Sequence, residues 1–405
     1  MVKATFDANP TRTAYDVVVV GGAIMGSSTA WWLTENPDFD GTVLVVERDQ
    51  SYENCSTAHT NSCMRQQFST ELNVRISQFA ADFVTNIRER MGGDDRIPDL
   101  PIRSFGYLYL ADTEDFANVL RQNIKVQHAA GAATELLSHD EILSRYPFYN
   151  VDDIVLGSIN TVNEGYWDGA AVFDWWKRQA RERGVEYIAN EVVAMTRGAS
   201  GIESITLGSG EVVACGQVVN ASGPRAAVTA RMAGIDVPVE PRKRYTWVFK
   251  AETPLDRDLP LTIDPSGVHC RENGGGTYQA GGHADIDPAV EFDDFRMDHS
   301  LWETHVWPII ATRIPAFEAV KVQAEWAGHY AVNTLDHNAI LGPHPDVPNF
   351  IFLNGFSGHG LQQSPAMGRA TAEWLTYGEY RTLDMRPFAY ERIVANDPIL
   401  ETAVI

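Results

Sequence analysis

A chain of 405 residues has room for two or three domains, and 44% hydrophobic residues with ten Trp exclude wholesale disorder. Fifty-four acidic against thirty-two basic residues leave a net charge of -22, which repels nucleic acid and anionic membrane surfaces. An anionic small-molecule ligand would therefore need a local cationic pocket.

Four cysteines, Cys55, Cys63, Cys215 and Cys270, lack C-x-x-C or metal-site spacing. They read as free thiols of a reducing compartment, and no metal site is expected. No stretch reaches the ~18 apolar residues of a membrane span, and the N-terminus lacks a signal-peptide core, so a cytoplasmic enzyme is the expectation.

The first predicted elements are a strand at 17–20, a glycine turn, a helix at 27–34 and a second strand, TVLVVE, ending at Glu47. Continuous apolar strands around a helix describe a βαβ unit of a covered parallel sheet. The turn reads Gly21, Ala23, Gly26 where a dinucleotide fingerprint has three glycines. Glu47 stands twenty-one residues after Gly26, close to the spacing of about 20 at which an acid meets a ribose hydroxyl. Ala23 adds one methyl beside the diphosphate but removes no N–H donor, so a displaced phosphate is expected rather than a lost site.

Further along, Leu72, Ile76, Phe79, Phe83 and Ile87 mark a helical stripe. Residues 103–112 alternate like a strand, and Ser138 with Glu141 forms a capping-box pattern. A strand ends at Asn220, and the basic run PRKRYTWVFKAE opens a turn-rich region suited to an antiparallel sheet. The last strand, NFIFLN, leads through Gly355, Gly358 and Gly360 to a helix predicted to start at Pro365 with Ser364 as N-cap. NAD, NADP and FAD all suit the first turn. A second helix N-terminus favours FAD, since it could face the N1–C2=O edge of a reduced flavin.

The ordered motifs VVVVGGAIMGSS, CSTAHTNSCMRQQFS, EGYWDGAAV, VVNASGP, NTLDHNAILGPHP and GFSGHGLQQSPAMGRA resemble the FAD-dependent amine and D-amino-acid oxidase family. The nearest branch holds sarcosine oxidases, dimethylglycine dehydrogenases and a mitochondrial FAD-dependent oxidoreductase that assists complex I assembly. This resemblance implies an α/β fold: a discontinuous Rossmann domain of glutathione-reductase type, binding FAD, with an inserted α+β substrate domain on an antiparallel sheet. The expected boundaries are 1–90, 150–225 and 325–405 for the FAD domain, and 91–149 and 226–324 for the substrate domain.

By the same resemblance, FAD would contact Gly21, Ala23, Ile24, Met25, Gly26, Glu47 and Arg48, with Val193 at the adenine. Ser56, Thr57, His59, Gly223, Gly358, His359, Gly360, Leu361 and Gln362 would complete the cofactor site. Binding is expected to be noncovalent, with His59 the alternative point of covalent attachment; the cysteine that holds flavin in sarcosine oxidases is matched by His329.

The implied reaction is oxidation of a secondary or N-substituted amino acid such as sarcosine or iminodiacetate. Hydride passes to flavin N5 and the imine is then hydrolysed. Arg65 would bind the substrate carboxylate, with Arg244 and Gln362 as further substrate contacts, and His359 could tune amine protonation. Gln362 and Gln279 replace two family lysines, one of which serves the reaction with oxygen. Oxygen therefore competes with a quinone or flavoprotein as electron acceptor, and a noncatalytic flavoprotein assembly factor is the other alternative.

Overall fold

The computed structural model describes residues 6–284 and 286–402. Two compact units emerge: residues 1–60, 169–241 and 329–399 form the first, and 61–168, 242–328 and 400–405 the second. The expected boundaries are thereby shifted. Residues 61–90 and 150–168 belong to the second unit, because the strand Leu156–Asn160 pairs with Tyr107–Ala111 and Glu135–Leu137 there. Residues 226–241 belong to the first, where Ala226, Ala227, Ala230 and Ile235 join its core. The outermost expected positions, 1–5 and 403–405, lie outside the described residues.

The first unit is built on a sheet whose parallel strands lie in the order Val347–Asn354, Val212–Asn220, Ala14–Val20, Val43–Glu47, Glu186–Ala189. Val17, Val18 and Val19 are at most 1% exposed, as expected for a strand covered on both faces. The helix Ile24–Glu35 follows Ala14–Val20 directly and is buried almost all round. Its small residues allow close packing. Ser28 Oγ donates to Ser364 O at 2.8 Å, and a Cβ on Gly368 would lie 2.1 Å from that Oγ.

The second unit carries a mostly antiparallel eight-stranded sheet, in which Leu261–Ile263 and Tyr107–Ala111 run parallel. Side chains alternate between its faces. One face is apolar, with Leu108, Leu110, Ile159, Trp247, Phe249, Cys270, Tyr278 and Ala280 in one core. The other takes Tyr107, Tyr109, Ser158, Asn160, His269, Arg271 and Gln279, so its middle is polar. The capping box at Ser138 forms as expected, with Ser138 Oγ and Glu141 bonded to each other's backbone N–H. Among the described residues no helix is long and apolar enough to cross a membrane.

Candidate functional site

In the first unit, Val20 leads into Gly21, whose φ of +100° places it in the left-handed region. A Cβ there would sit 2.5 Å from the Ala221 carbonyl oxygen, and one on Gly26 would sit 1.9 Å from the Gly21 oxygen. Both positions therefore require glycine. Ala23 is different: with φ -68° and ψ -164° it is extended, a conformation open to any residue. It stands at the N-cap of the helix and offers no capping side chain, leaving Met25 and Gly26 N–H without a cap from it. Ile24 N–H donates to Thr57 Oγ1 at 3.3 Å, while Ser56 Oγ donates to His329 O.

Glu47 is buried at the end of Val43–Glu47. Its Oε2 accepts Gly22 N–H at 2.8 Å and its Oε1 accepts Asp49 N–H at 2.8 Å. Each oxygen keeps a lone-pair direction for a hydroxyl donor. Burial raises its pKa, against the pull of these two N–H groups. Beside it the buried Tyr52 hydroxyl has no partner among the described residues. Arg48 is exposed, and His59 is half-buried with Nδ1 3.3 Å from Cys55 O; burial lowers the His59 pKa.

Val193 occupies a bulge. Ala194 pairs with Thr206 and Val192 with Leu207, so Val193 lies outside the ladder register while its side chain is 48% exposed. Gly223 has φ +57° and open space at its Cβ position.

The C-terminal helix runs Gly360–Tyr377, with His359 at its N-cap. Its predicted start at Pro365 is corrected by one and a half turns. Pro365 lies inside the helix, and the Leu361 carbonyl that its missing N–H would have bonded accepts Ser364 Oγ instead, at 2.7 Å. Gly358 has φ +94°, and a Cβ there would lie 2.3 Å from the Tyr330 ring. Leu361 and Gln362 form the buried first turn.

In the second unit, Arg65 is 2% exposed and its guanidinium lies 4.0 Å from the Phe68 ring centroid. Its Nη1 donates to the Gln67 carbonyl, while Glu71 pairs with Arg75. Burial opposes its charge, but Tyr109, Tyr107, Glu401 and Glu164 raise its pKa above the ordinary value. Fully buried Glu164 accepts Gln66 N–H at 2.6 Å, Asn160 Nδ2 at 2.9 Å and Gln67 Nε2 at 2.9 Å. Desolvation nevertheless pushes its pKa up to about 8.

Gln279 accepts Arg271 Nη2 at 2.7 Å and donates to Asn61, which reaches His269 Nε2 at 2.7 Å. Arg244, expected as a substrate contact, is instead held in a bidentate pair with Asp287 at 2.8 and 2.9 Å. Lys243, on the opposite face of the strand, pairs with Asp294. Asn61, Glu164, His269 and Arg271 went unrecognised as site residues in the sequence. The signal for the last two was two polar residues at alternate positions of the strand HCRENG.

The FAD-dependent oxidoreductase (DAO) family matches residues 16–374, and the chain belongs to that family. It is similar to FAD-dependent oxidoreductase domain-containing protein 1 of Xenopus laevis, with 36% identity covering 99% of this chain and 86% of the relative. Mitochondrial sarcosine dehydrogenase of Homo sapiens is 24% identical over 93% of this chain and 41% of its own. Among solved structures, L-proline dehydrogenase from P. horikoshii superimposes with a TM-score of 0.82 at 23% identity, covering 98% and 100% of the two chains, and shares the fold.

The protein is thus an FAD-dependent oxidoreductase with a Rossmann-type unit and a second, sheet-based unit, and FAD is its cofactor. The residues present fit that cofactor: glycine where a Cβ would collide, an uncapped helix start, and a buried carboxylate with acceptor capacity to spare.

Proposed function

We propose that the protein oxidises a secondary or N-substituted amino acid at the carbon bearing the nitrogen. FAD, when bound, supplies the two-electron acceptor, taking a hydride at N5, and the resulting imine hydrolyses in water. The observation that carries this reading is the polar face of the second unit's sheet, which buries two guanidinium groups, Arg65 and Arg271, in a chain of net charge -22. Guanidinium is the side chain best matched to a planar carboxylate.

On the cofactor side, the N–H groups of 23–26 would receive the diphosphate and Glu47 the adenosine ribose. The bulged backbone of Val193 would meet the adenine. Ser56, Thr57, Gly223 and residues 358–362 would lie along the remainder of the cofactor, with the N-terminus of Gly360–Tyr377 favouring negative charge on it. Arg48, exposed, would lie at its edge.

Anaerobic mixing of the FAD-loaded protein with sarcosine, iminodiacetate, N-methylglutamate and proline tests the reading. Bleaching of the visible flavin band by at least one of them is expected; no bleaching by any would overturn it.

A further inference from the structure

The two buried arginines on the polar face differ in what surrounds them, and the difference bears on which one meets the substrate. This inference rests on the amino-acid oxidation proposed above. Arg65 lies in the field of Glu401, with Glu164 beside it holding its proton below about pH 8, and Arg271 is felt by Glu272. Arg271 is 4% exposed, and no carboxylate of the described residues reaches ion-pair distance of it. The acid next in sequence, Glu272, alternates to the opposite face and spends Oε1 on Gly274 N–H at 2.9 Å. The Arg271 fork is held only by neutral acceptors, Glu272 O at 2.7 Å, Asn273 Oδ1 at 3.3 Å and Gln279 Oε1 at 2.7 Å, and its Nε has no partner. A buried, uncompensated charge is costly.

The hydrogen bonds leading away from Arg271 have a fixed direction. A guanidinium only donates, so Gln279 presents its oxygen to Arg271 and its amide nitrogen to Asn61 Oδ1. Asn61 must then present Nδ2 to His269 Nε2, which makes that nitrogen the acceptor and leaves the ring proton on Nδ1. His269 Nδ1 is itself buried, makes no hydrogen bond of full geometry among the described residues, and has the Gly267 carbonyl as its nearby backbone acceptor. Burial, with Arg271 and Arg244 nearby, pushes the His269 pKa down to about 4, so the ring is a neutral donor. Arg271 and His269 stand two residues apart on one strand and therefore share a face. Around them Asn61, Cys63 and Tyr166 are only half-buried, and the Arg271 guanidinium lies 5.2 Å from the Tyr166 ring centroid.

The network thus has a surplus of donors: among the described residues Arg271 Nε, on a buried cation, has no acceptor, and His269 Nδ1 has at most the Gly267 carbonyl. We propose that Arg271, assisted by His269, is the anchor for the substrate carboxylate, and that Arg65 is a structural cation of the same face.

The test compares FAD-loaded wild type with Arg271→Met and Arg271→Lys. Anaerobic flavin reduction is followed against the concentration of whichever amino acid of the panel reacts and of its primary amide. Arg271→Met is expected to raise the half-saturating concentration of the acid by about 100-fold and to abolish the preference for acid over amide, while Arg271→Lys falls between. An unchanged half-saturation, or a retained acid preference, would overturn the assignment.

If no amino acid reduces the wild type, the oxidation fails as a reading, and calorimetric titration with propionate and propionamide decides the anion site separately. Binding of propionate alone, lost in Arg271→Met, upholds it, and equal binding to both proteins refutes it. Should Arg271→Met lose its flavin, Arg271→Gln carries the same comparisons, with the same outcomes deciding.

Discussion

The glycine turn of the first unit and the polar face of the second specify chemistry in opposite ways. At residues 21–26 the requirements are on the backbone: a left-handed φ at Gly21, and a helix so close that Gly26 touches the Gly21 carbonyl. On the polar face the requirements are on side chains gathered from distant strands, where Gln67, Asn160 and Glu164 satisfy one another and Arg271 finds no carboxylate. Backbone-dictated sites should fail abruptly when one atom is added. Side-chain networks should fail by degrees, and in a pH-dependent way.

The sharpest test of that contrast is Gly26→Val. Its Cβ would fall 1.9 Å from a backbone oxygen, which cannot move without displacing the strand Ala14–Val20. The expected outcome is a protein purified without flavin, read from the absence of its visible absorption. Retention of stoichiometric FAD would break the comparison from the first unit's side.

Next in size is Arg65→Met, expected to destabilise by about 1–3 kcal/mol in urea unfolding, because it removes a buried guanidinium that donates to the Gln67 carbonyl and packs on the Phe68 ring. A loss under about 1 kcal/mol would show that Arg65 is not a structural cation and would reopen its candidacy as the carboxylate anchor.

Glu164 supplies the graded behaviour. Its folded-state pKa of about 8 stands above the ordinary 4.5, so between those values the folded chain keeps a proton that the unfolded chain has released. Its contribution to stability is full below pH 4.5 and declines as pH rises toward 8. Denaturation across that range should show a larger fall with pH for the wild type than for Glu164→Gln. Parallel curves would mean that the three N–H donors outweigh burial and keep Glu164 ionised.

The same contrast explains what was legible in the sequence. Gly21, Gly26 and Glu47 could be assigned from spacing alone, since a turn, a close helix and an acid at the end of the next strand are local facts. The start of the final helix was misplaced for an equally local reason. Pro365 matches the preference for a first helical position, but Ser364 satisfies the carbonyl it orphans, and the helix passes through. Arg271 carried no local signal beyond its alternation with His269, since only the register of His269–Gly274 against Thr277–Gly282 sets it opposite Gln279. The basic run around Arg244 says nothing of Asp287, which comes forty-three residues later and pairs with its fork.

The smallest effect is expected where the fingerprint departs from its pattern. Ala23 is extended, so glycine there would relieve no backbone strain, and the helix start keeps every N–H donor in either form. Ala23→Gly should therefore change FAD affinity by less than about fivefold, with a slight tightening if the methyl crowds the diphosphate and a slight loosening from the added unfolded-state freedom of glycine. Titration of deflavinated protein with FAD measures it. A loss of binding would mean that the methyl packs against the cofactor, and the middle position would join Gly21 and Gly26 as a place where a single carbon decides occupancy.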